Sequence, residues 1–272
     1  MLYFFFWFEA LCASVGIYFL AERAFHPLLI LPIMIGIFVS LCLLYLVYLY
    51  VSGELLPRAY PERVRPFAAF SIRLALHWFM RIFCVKITVE GAEKLPDTPV
   101  VLVCNHRSAL DPVFIICGLR RRKMAFVAKE SVMKYPVVGP YARRAGFLGI
   151  DRESPMQSMR TLHRAAKLVR ADGIDYGIFP EGTRSRTGEL LPFKSGAFLL
   201  AKKADAPIAV LTMEGSSGVF HGLRRLRRPR IHITVCDVID VERVRKQSYE
   251  ELSTAVRGVM EGYFDSKEKI VD

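Results

Sequence analysis

The segment Val100-Val-Leu-Val-Cys-Asn-His-Arg-Ser-Ala-Leu-Asp-Pro112 joins an apolar run to a polar loop and the start of a helix. The run Val100–Cys104 has the length and the β-branched content of a buried strand. Ser108 and Asp111 stand at the spacing of a capping box, which predicts that a helix begins between His106 and Asp111. A strand that opens directly into a helix is typical of α/β proteins.

The same alternation of strands and helices continues along the chain from Cys84 onward. The predicted strands span residues 85–89, 100–104, 124–128, 147–151, 176–179, 208–213 and 231–235, and the predicted helices span about 109–118, 131–143, 155–171, 194–204 and 248–264. This order predicts an α/β fold over residues 84–272, in which one sheet is flanked by helices on both faces.

His106 and Asp111 are the first candidates for catalysis. Five residues apart on one continuous helix, they would point about 140° away from each other. If the helix begins between them, the two side chains can meet. A carboxylate that holds one imidazole nitrogen leaves the other nitrogen free as a general base. The alternative is that Asp111 only caps the helix and that His106 is a polar loop residue, and these residues alone leave both open.

Cationic side chains follow several of the other predicted strands. The segment Phe179-Pro-Glu-Gly-Thr-Arg-Ser-Arg186 comes after one strand, Arg152 follows another, and Lys129 follows a third. Arginine donates hydrogen bonds in a planar fork that matches phosphate oxygens. Ligand sites of open α/β sheets lie at the carboxyl ends of the strands. The sequence therefore predicts a phosphate-binding catalytic edge.

The front of the chain is strongly apolar. Residues 2–20 carry one charged side chain, Glu9, and residues 24–53 carry no Asp, Glu, Lys or Arg. Because roughly 20 apolar residues cross a bilayer core, we predict a membrane-embedded two-helix hairpin over residues 1–55. Five arginines between residues 58 and 81 follow it, which places the rest of the chain at the cytoplasmic face of the cell membrane, the inner membrane of a bacterium. A buried helical hairpin of a soluble core is the alternative.

Residues 56–83 form a third segment between the hairpin and the α/β domain. Its apolar part, residues 64–83, carries Arg65, Arg73 and Arg81 at intervals of eight. Such a helix can lie in the headgroup region with its arginines reaching lipid phosphates. It can equally be an amphipathic helix that packs on the α/β domain.

The overall charge points to an anionic partner. The chain has 38 Lys and Arg against 26 Asp and Glu, a formal net charge of +12, and 53% of its residues are hydrophobic. High apolar content together with positive charge favours membrane phospholipids as partners, and no recognition motif supports nucleic acid. The six cysteines lack a C-x-x-C spacing, and no motif of a zincin, a serine hydrolase or a dinucleotide enzyme occurs. We therefore expect neither a metal nor a cofactor.

Two blocks of this sequence resemble those of the glycerolipid acyltransferases, in particular the 1-acyl-glycerol-3-phosphate acyltransferases. Residues 105–111 are similar to the N-H-x-S-x-x-D block of that family, and residues 179–185 are similar to its F-P-E-G-T-R-S block. The segment Ile150-Asp-Arg152 is similar to the middle block, and the resemblance covers roughly residues 85–215. One departure is that residues 206–210 contain a single proline, Pro207, where the family usually has two, so the resemblance leaves the acceptor lipid open.

The resemblance implies a reaction and a role for each candidate residue. His106 would deprotonate the sn-2 hydroxyl of lysophosphatidate, and Asp111 would orient His106. The alkoxide-like oxygen would attack an acyl thioester, either acyl-CoA or acyl-carrier protein, and phosphatidate would form. The residues implied to bind the acceptor are Arg152, Arg184 and Lys129 for its phosphate and Glu181 and Gly182 for its glycerol backbone. Thr183 is implied as a further substrate-binding residue. Backbone N–H groups of residues 108–111 are the first candidates for the oxyanion donors.

Two other functions remain as alternatives. A family member with the same chemistry could use another acceptor, namely glycerol-3-phosphate, another lysophospholipid or a lyso-aminolipid. A catalytically silent membrane protein could bind anionic lipids through its basic surface. The presence of both His106 and Asp111 argues against the second alternative, because a lipid-binding protein needs no general base.

Overall fold

The chain forms two compact units, residues Met1–Pro57 and Arg58–Asp272. The structure is a computed structural model that describes residues 7, 9–11, 13–14, 27–55, 59–136, 138–219 and 228–271. The first unit contains helix α1, Pro27–Leu55, and Trp7 stacks on Phe38 with ring centroids 4.7 Å apart. Much of the first half of the predicted hairpin lies outside the described residues. Across the part of the chain that is described, no helix combines the length and the apolar character needed to cross a membrane.

The second unit alternates strands and helices in the predicted order. Its strands are β1 Lys86–Glu90, β2 Val101–Cys104, β3 Met124–Lys129, β4 Leu148–Ile150, β5 Asp175–Ile178, β6 Ile208–Glu214 and β7 Arg230–Ile239. Its helices are α2 Pro66–Ile82, α3 Asp111–Gly118, α4 Val138–Arg144, α5 Pro155–Asp172, α6 Leu199–Ala204, α7 Val241–Lys246 and α8 Tyr249–Val271. Each of the seven predicted strands is present, and the prediction of an α/β fold is confirmed.

The strands form one sheet in the order β1-β7-β6-β2-β5-β3-β4. The five strands from β6 to β4 are parallel to their neighbours, whereas β7 is antiparallel to β6 and β1 is parallel to β7. Strands β2, β3, β4, β5 and β6 therefore all end at one edge of the sheet, which we call the carboxyl edge. Strands β7 and β1 begin at this same edge because they run in the opposite direction.

Two apolar cores lie on the two faces of the sheet. Strand β2 is buried on both, with Val101 and Val103 facing one core and Leu102 and Cys104 facing the other. The first core receives side chains from α5, α6, α7 and α8, and the second receives them from α2 and α3. This layering explains why the parallel strands are continuous apolar runs, since neither face of the sheet is solvated.

The structure corrects several predicted element boundaries. The helix predicted over residues 131–143 is divided at Pro136 into a short 3₁₀ helix, Glu130–Lys134, and α4. Proline has no N–H to donate and disfavours a helical conformation in the residue before it, so the chain turns there. Helix α7 was not predicted; it begins after Asp240, whose side chain accepts a hydrogen bond from the amide of Arg243 at 2.8 Å.

The helix of the predicted segment 56–83 belongs to the second unit. Its Met80 is buried in the core beside α3. The side chain of Arg73 donates hydrogen bonds to the backbone oxygens of Arg120 and Arg122, so the expectation that Arg73 reaches lipid phosphates is wrong. Helix α2 therefore packs on the α/β domain through Met80 and Arg73, and the interfacial position of its exposed face stays a prediction.

Candidate active site

The loop of residues 105–110 brings His106 and Asp111 together at the carboxyl edge. It connects the end of β2 to the first residue of α3, so the helix begins after His106 and the chain can turn back. His106 Nδ1 lies 2.8 Å from Asp111 Oδ2, and Asp111 is fully buried. The same oxygen accepts hydrogen bonds from the amides of Arg107 at 2.7 Å and Ser108 at 2.8 Å. An ionised carboxylate can only accept, so the proton lies on Nδ1 and the lone pair on Nε2.

An aromatic side chain holds the imidazole ring of His106 from one face. The ring of Phe179 is stacked on it, with centroids 4.2 Å apart and an angle of 20° between the planes. Phe179 is stacked in turn on Phe126 at 5.9 Å. Phe179 follows β5 and Phe126 lies in β3, so three neighbouring strands fix the orientation of the ring.

Glu181 lies beside His106, and both of its carboxylate oxygens are hydrogen-bonded within the protein. Its side chain is buried, with 3% of the residue exposed. Oε1 accepts a hydrogen bond from the amide of His106 at 2.7 Å, and Oε2 accepts one from the amide of Leu191 at 3.3 Å. Burial raises the pKa of Glu181, and the hydrogen bond from the amide of His106 is the strongest opposing effect. The expected contact of Glu181 with the glycerol backbone is therefore not supported, and its carboxylate holds the His106 loop instead.

The predicted cationic residues lie at the same edge of the sheet. Lys129 is the last residue of β3, Arg152 follows β4, and Arg184 follows β5 by six residues. Partial burial lowers the pKa of Arg152, and the positive charge of Arg184 lowers it further. All three side chains are exposed, and no hydrogen-bond partner is found for them among the described residues. Exposed cations at the same edge of the sheet suit a phosphate, which can accept hydrogen bonds from more than one of them.

Gly182 and Thr183 connect Glu181 to Arg184 through a tight turn. Gly182 has φ +68°, in the left-handed region that favours glycine, and a Cβ there would lie 3.0 Å from Cε of Lys194. Thr183 is exposed. The amide of Ser185 donates to the backbone oxygen of His106 at 2.8 Å, so this turn is hydrogen-bonded directly to the His106 loop.

Comparison with known proteins identifies the family. The family model described as Acyltransferase matches residues 86–214, which include the two loops described above. The chain is 30% identical over 192 residues to 1-acyl-sn-glycerol-3-phosphate acyltransferase alpha of Mus musculus, covering 70% of this chain and 67% of the mouse protein. The chain belongs to the acyltransferase family.

Other relatives support the same assignment. The chain is 35% identical over 130 residues to 1-acyl-sn-glycerol-3-phosphate acyltransferase of Cocos nucifera, covering 48% of this chain and 42% of the plant protein. It thus spans less than half the length of that relative. The crystal structure of the 1-acyl-sn-glycerophosphate (LPA) acyltransferase PlsC from Thermotoga maritima is similar with a TM-score of 0.58 and 25% identity, over 80% of this chain and 88% of that one.

Two further residues of this member of the acyltransferase family, Asn105 and Arg107, support the site. The side-chain amide of Asn105 donates to the backbone oxygen of Met213 at 3.0 Å and accepts from its amide at 2.7 Å, which fastens the His106 loop to β6. Arg107 donates to the backbone oxygen of Gly188, and its guanidinium lies 5.2 Å from the ring centre of Phe264 in α8. Both neighbour His106 in the sequence, but their partners are far along the chain, so no local pattern could identify them.

The structure does not support the backbone N–H groups of residues 108–111 as oxyanion donors. The amide of Ser108 donates to Asp111 Oδ2, the amide of Leu110 to Ser108 Oγ, and the amide of Asp111 to the backbone oxygen of Ser108. Three of the four N–H groups at residues 108–111 are therefore occupied within the loop. In the described part of the chain, no three His, Cys, Asp or Glu side chains are grouped so that they could hold a metal ion.

Proposed function

We propose that this acyltransferase transfers an acyl chain from an acyl thioester to the sn-2 hydroxyl of lysophosphatidate, which yields phosphatidate. The proposal rests mainly on the 2.8 Å contact between His106 Nδ1 and Asp111 Oδ2. This contact lies at the carboxyl edge of the sheet, where Arg152 and Arg184 also lie. A buried carboxylate that orients an imidazole is the arrangement of a general base. Nearby unpaired cations match an acceptor that carries a phosphate. The names of the relatives support the same acceptor.

In the proposed reaction, Nε2 of His106 removes the proton of the sn-2 hydroxyl as its oxygen attacks the thioester carbonyl carbon. The new C–O bond forms, the C–S bond breaks, and the imidazolium returns its proton to the leaving thiolate. The products are an ester and a free thiol, and no acyl-enzyme is required. The buried carboxylate of Asp111 stabilises the imidazolium while the proton is held there.

The proposed acceptor site uses the three cationic side chains at the ends of β3, β4 and β5. Arg152 and Arg184 bind the phosphate, with Lys129 beside them, and the turn at Gly182 and Thr183 lies against the glycerol region. Glu181 contributes indirectly by holding the amide of His106. Holding both substrates in the correct orientation lowers the barrier by several kcal/mol beyond what the base supplies.

We further propose that the enzyme works at the cytoplasmic face of the cell membrane and that the apolar residues 1–55 anchor it there as a hairpin. The absence of charged side chains from residues 24–53 and the arginines that follow support this proposal. A lysolipid acceptor and its product both reside in the bilayer, whereas acyl-CoA or acyl-carrier protein arrives from the water.

The test of the general base is the variant His106→Ala in the full chain. Thiol release from acyl-CoA and from acyl-carrier protein is measured with lysophosphatidate as acceptor, and the product lipid is identified. We expect transfer to fall by about 10²–10⁴-fold because no other group takes the hydroxyl proton, while lysophosphatidate still binds. His163→Ala, an exposed histidine on α5, is the matched control and keeps full activity. Full activity of His106→Ala would reject the proposed role.

The test of the phosphate site is the variant Arg184→Ala with a panel of acceptors. We expect the apparent KM for lysophosphatidate to rise about tenfold or more, because one charge-assisted contact to the phosphate is lost. The KM for the acyl donor should not change. Arg121→Ala, an exposed arginine just before the start of β3, is the control. An unchanged KM for lysophosphatidate in Arg184→Ala would contradict phosphate binding there.

A further inference from the structure

Exposed large apolar side chains in the second unit are confined to a few segments. Among the described residues of 58–272, they are Phe67, Phe70 and Ile82 on α2, Phe83 after it, Tyr135 and Val138 at the start of α4, and Met156 and Met159 at the start of α5. Single exposed apolar residues are ordinary, but grouped ones indicate an interaction surface. The position of six of these eight residues relative to the sheet shows which surface they share.

Ile82 and Phe83 lie at the carboxyl edge, on the β1 side of the sheet. They precede β1, which is paired in parallel with β7 so that Lys86 is opposite Arg230. Strand β7 is antiparallel to β6, with His232 opposite Glu214, the last residue of β6. The beginning of β1 is therefore level with the end of β6. We call Ile82 and Phe83 the first flank.

Tyr135, Val138, Met156 and Met159 lie at the same edge, on the β4 side of the sheet, and we call them the second flank. Tyr135 and Val138 follow the 3₁₀ helix that begins directly after β3. Met156 and Met159 are in the first turns of α5, which begins just after β4. The hydroxyl of Ser158 donates to the backbone oxygen of Asp151 at 2.6 Å, which holds the start of α5 against the end of β4.

The candidate active site lies between the two flanks. His106 follows β2, and the cationic residues follow β3, β4 and β5, whereas the flanks lie at the β1 and β4 sides of the sheet. Exposed cations accompany both flanks, with Arg81 and Lys86 beside the first and Lys134 and Arg160 beside the second. The two remaining exposed apolar residues, Phe67 and Phe70, belong to neither flank. They are near the start of α2, where the amide of Arg65 donates to the backbone oxygen of Arg144 just before β4, at the opposite edge of the sheet.

We propose that the carboxyl edge docks on the surface of an anionic bilayer through the two flanks. Apolar side chains bordered by exposed cations match a membrane interface, where the apolar groups enter the acyl boundary and the cations contact anionic headgroups. The net charge of +12 complements such a surface. This inference rests on the proposed function, since it explains how an acceptor that stays in the bilayer reaches His106.

The kinetic test compares two acceptors in the full chain reconstituted into vesicles of phosphatidylcholine and phosphatidylglycerol. One acceptor is long-chain lysophosphatidate in the vesicle, and the other is short-chain lysophosphatidate dissolved in water. The flank variants are Met156→Glu with Met159→Glu, and Ile82→Glu with Phe83→Glu. The control is Thr98→Glu with Ala171→Glu, two exposed positions just before β2 and β5, at the opposite edge of the sheet.

We expect each flank variant to lose about tenfold in activity on the long-chain acceptor and none on the short-chain acceptor. The control should match the wild type on both. Unchanged long-chain activity in the flank variants would overturn the docking proposal, and so would an equal loss on both acceptors. A wild-type chain that acylates neither acceptor would instead overturn the proposed function.

A second measurement detects docking without using activity. Tryptophan replaces Met156 or, as a control, Ala171. The change in tryptophan fluorescence relative to the parent chain is then measured as brominated phospholipids replace ordinary ones. We expect strong quenching of the tryptophan at position 156 and none at position 171. Equal quenching at both positions would overturn the proposal. The proposal would also be overturned if the tryptophan emission at position 156 is unaffected by the lipid but depends on protein concentration, because this indicates that the partner is a second copy of the chain.

Discussion

At the level of single residues, the site depends on side chains that never meet a substrate. Glu181 illustrates this, since its two oxygens bind the amides of His106 and Leu191. One carboxylate thus joins the loop after β2 to the loop after β5. A buried acceptor with two donors in place is costly to alter, because any change leaves a polar group without a partner.

The variant Glu181→Gln should therefore lower kcat and leave the KM for lysophosphatidate unchanged. Glutamine has one carbonyl oxygen, so its NH₂ group must face an N–H of either His106 or Leu191 and push it away. We expect kcat to fall about 10–100-fold because the base is displaced from its reacting position. Steady-state kinetics on both substrates check this, with the exposed Glu189→Gln of the same loop as control. A raised KM with unchanged kcat would mean that Glu181 contacts the acceptor after all.

At the level of strands and loops, the position of His106 depends on the packing of β3 and β5. A Cβ on Gly177 of β5 would lie 1.9 Å from Cε1 of Phe126, which is almost fully buried in β3. Phe126 contacts Phe179, and Phe179 is stacked on His106. Glycine at this position therefore leaves the space in which the aromatic support of the base is built.

The variant Gly177→Ala should destabilise the fold and slow the reaction together. We expect the free energy of unfolding to fall by about 1–3 kcal/mol because an added methyl group overpacks the core. The shift of Phe126 should also reduce kcat. Thermal unfolding and kcat are measured beside Gly196→Ala, where the same methyl group meets no atom within 4 Å. A Gly177→Ala protein with wild-type stability and kcat would show that the aromatic stack does not position His106.

For the whole molecule, net charge should determine how strongly the enzyme responds to salt. The charge of +12 attracts an anionic bilayer, and salt screens this attraction beyond a distance of about 10 Å at 0.1 M and about 3 Å at 1 M. Raising the salt from about 0.05 M to about 0.5 M should therefore reduce activity severalfold on long-chain lysophosphatidate in phosphatidylglycerol vesicles. Purely zwitterionic vesicles are the control and should show a much smaller change. An equal loss on both vesicle types would indicate that salt acts on substrate binding in the site.

Local sequence patterns were sufficient to predict the strands and most of the helices, and the residues at the end of β2 where the site begins. The run Val100–Cys104 and the capping-box spacing predicted a helix start between His106 and Asp111, which allows the two side chains to meet, because both signals depend on neighbours within a few residues. The apolar runs predicted the parallel strands β2 to β6, since these strands are largely buried on both faces, whereas β7 alternates buried and exposed residues. Pro136 is a visible signal for the break before α4, although the apolar periodicity around it predicts one continuous helix.

Contacts between segments far apart in the sequence determined how the His106 loop is held and in which direction the strands run. The bond of Glu181 to His106 joins residues 75 positions apart, and that of Asn105 to Met213 joins residues 108 positions apart. The reversed direction of β7 and β1, which brings Ile82 and Phe83 to the carboxyl edge, also has no local signal. The sequence by itself determined which side chains are present at each strand end, because secondary structure follows from short-range periodicity. Only the tertiary structure decided which of them touch, because strand order and direction depend on packing over the whole sheet.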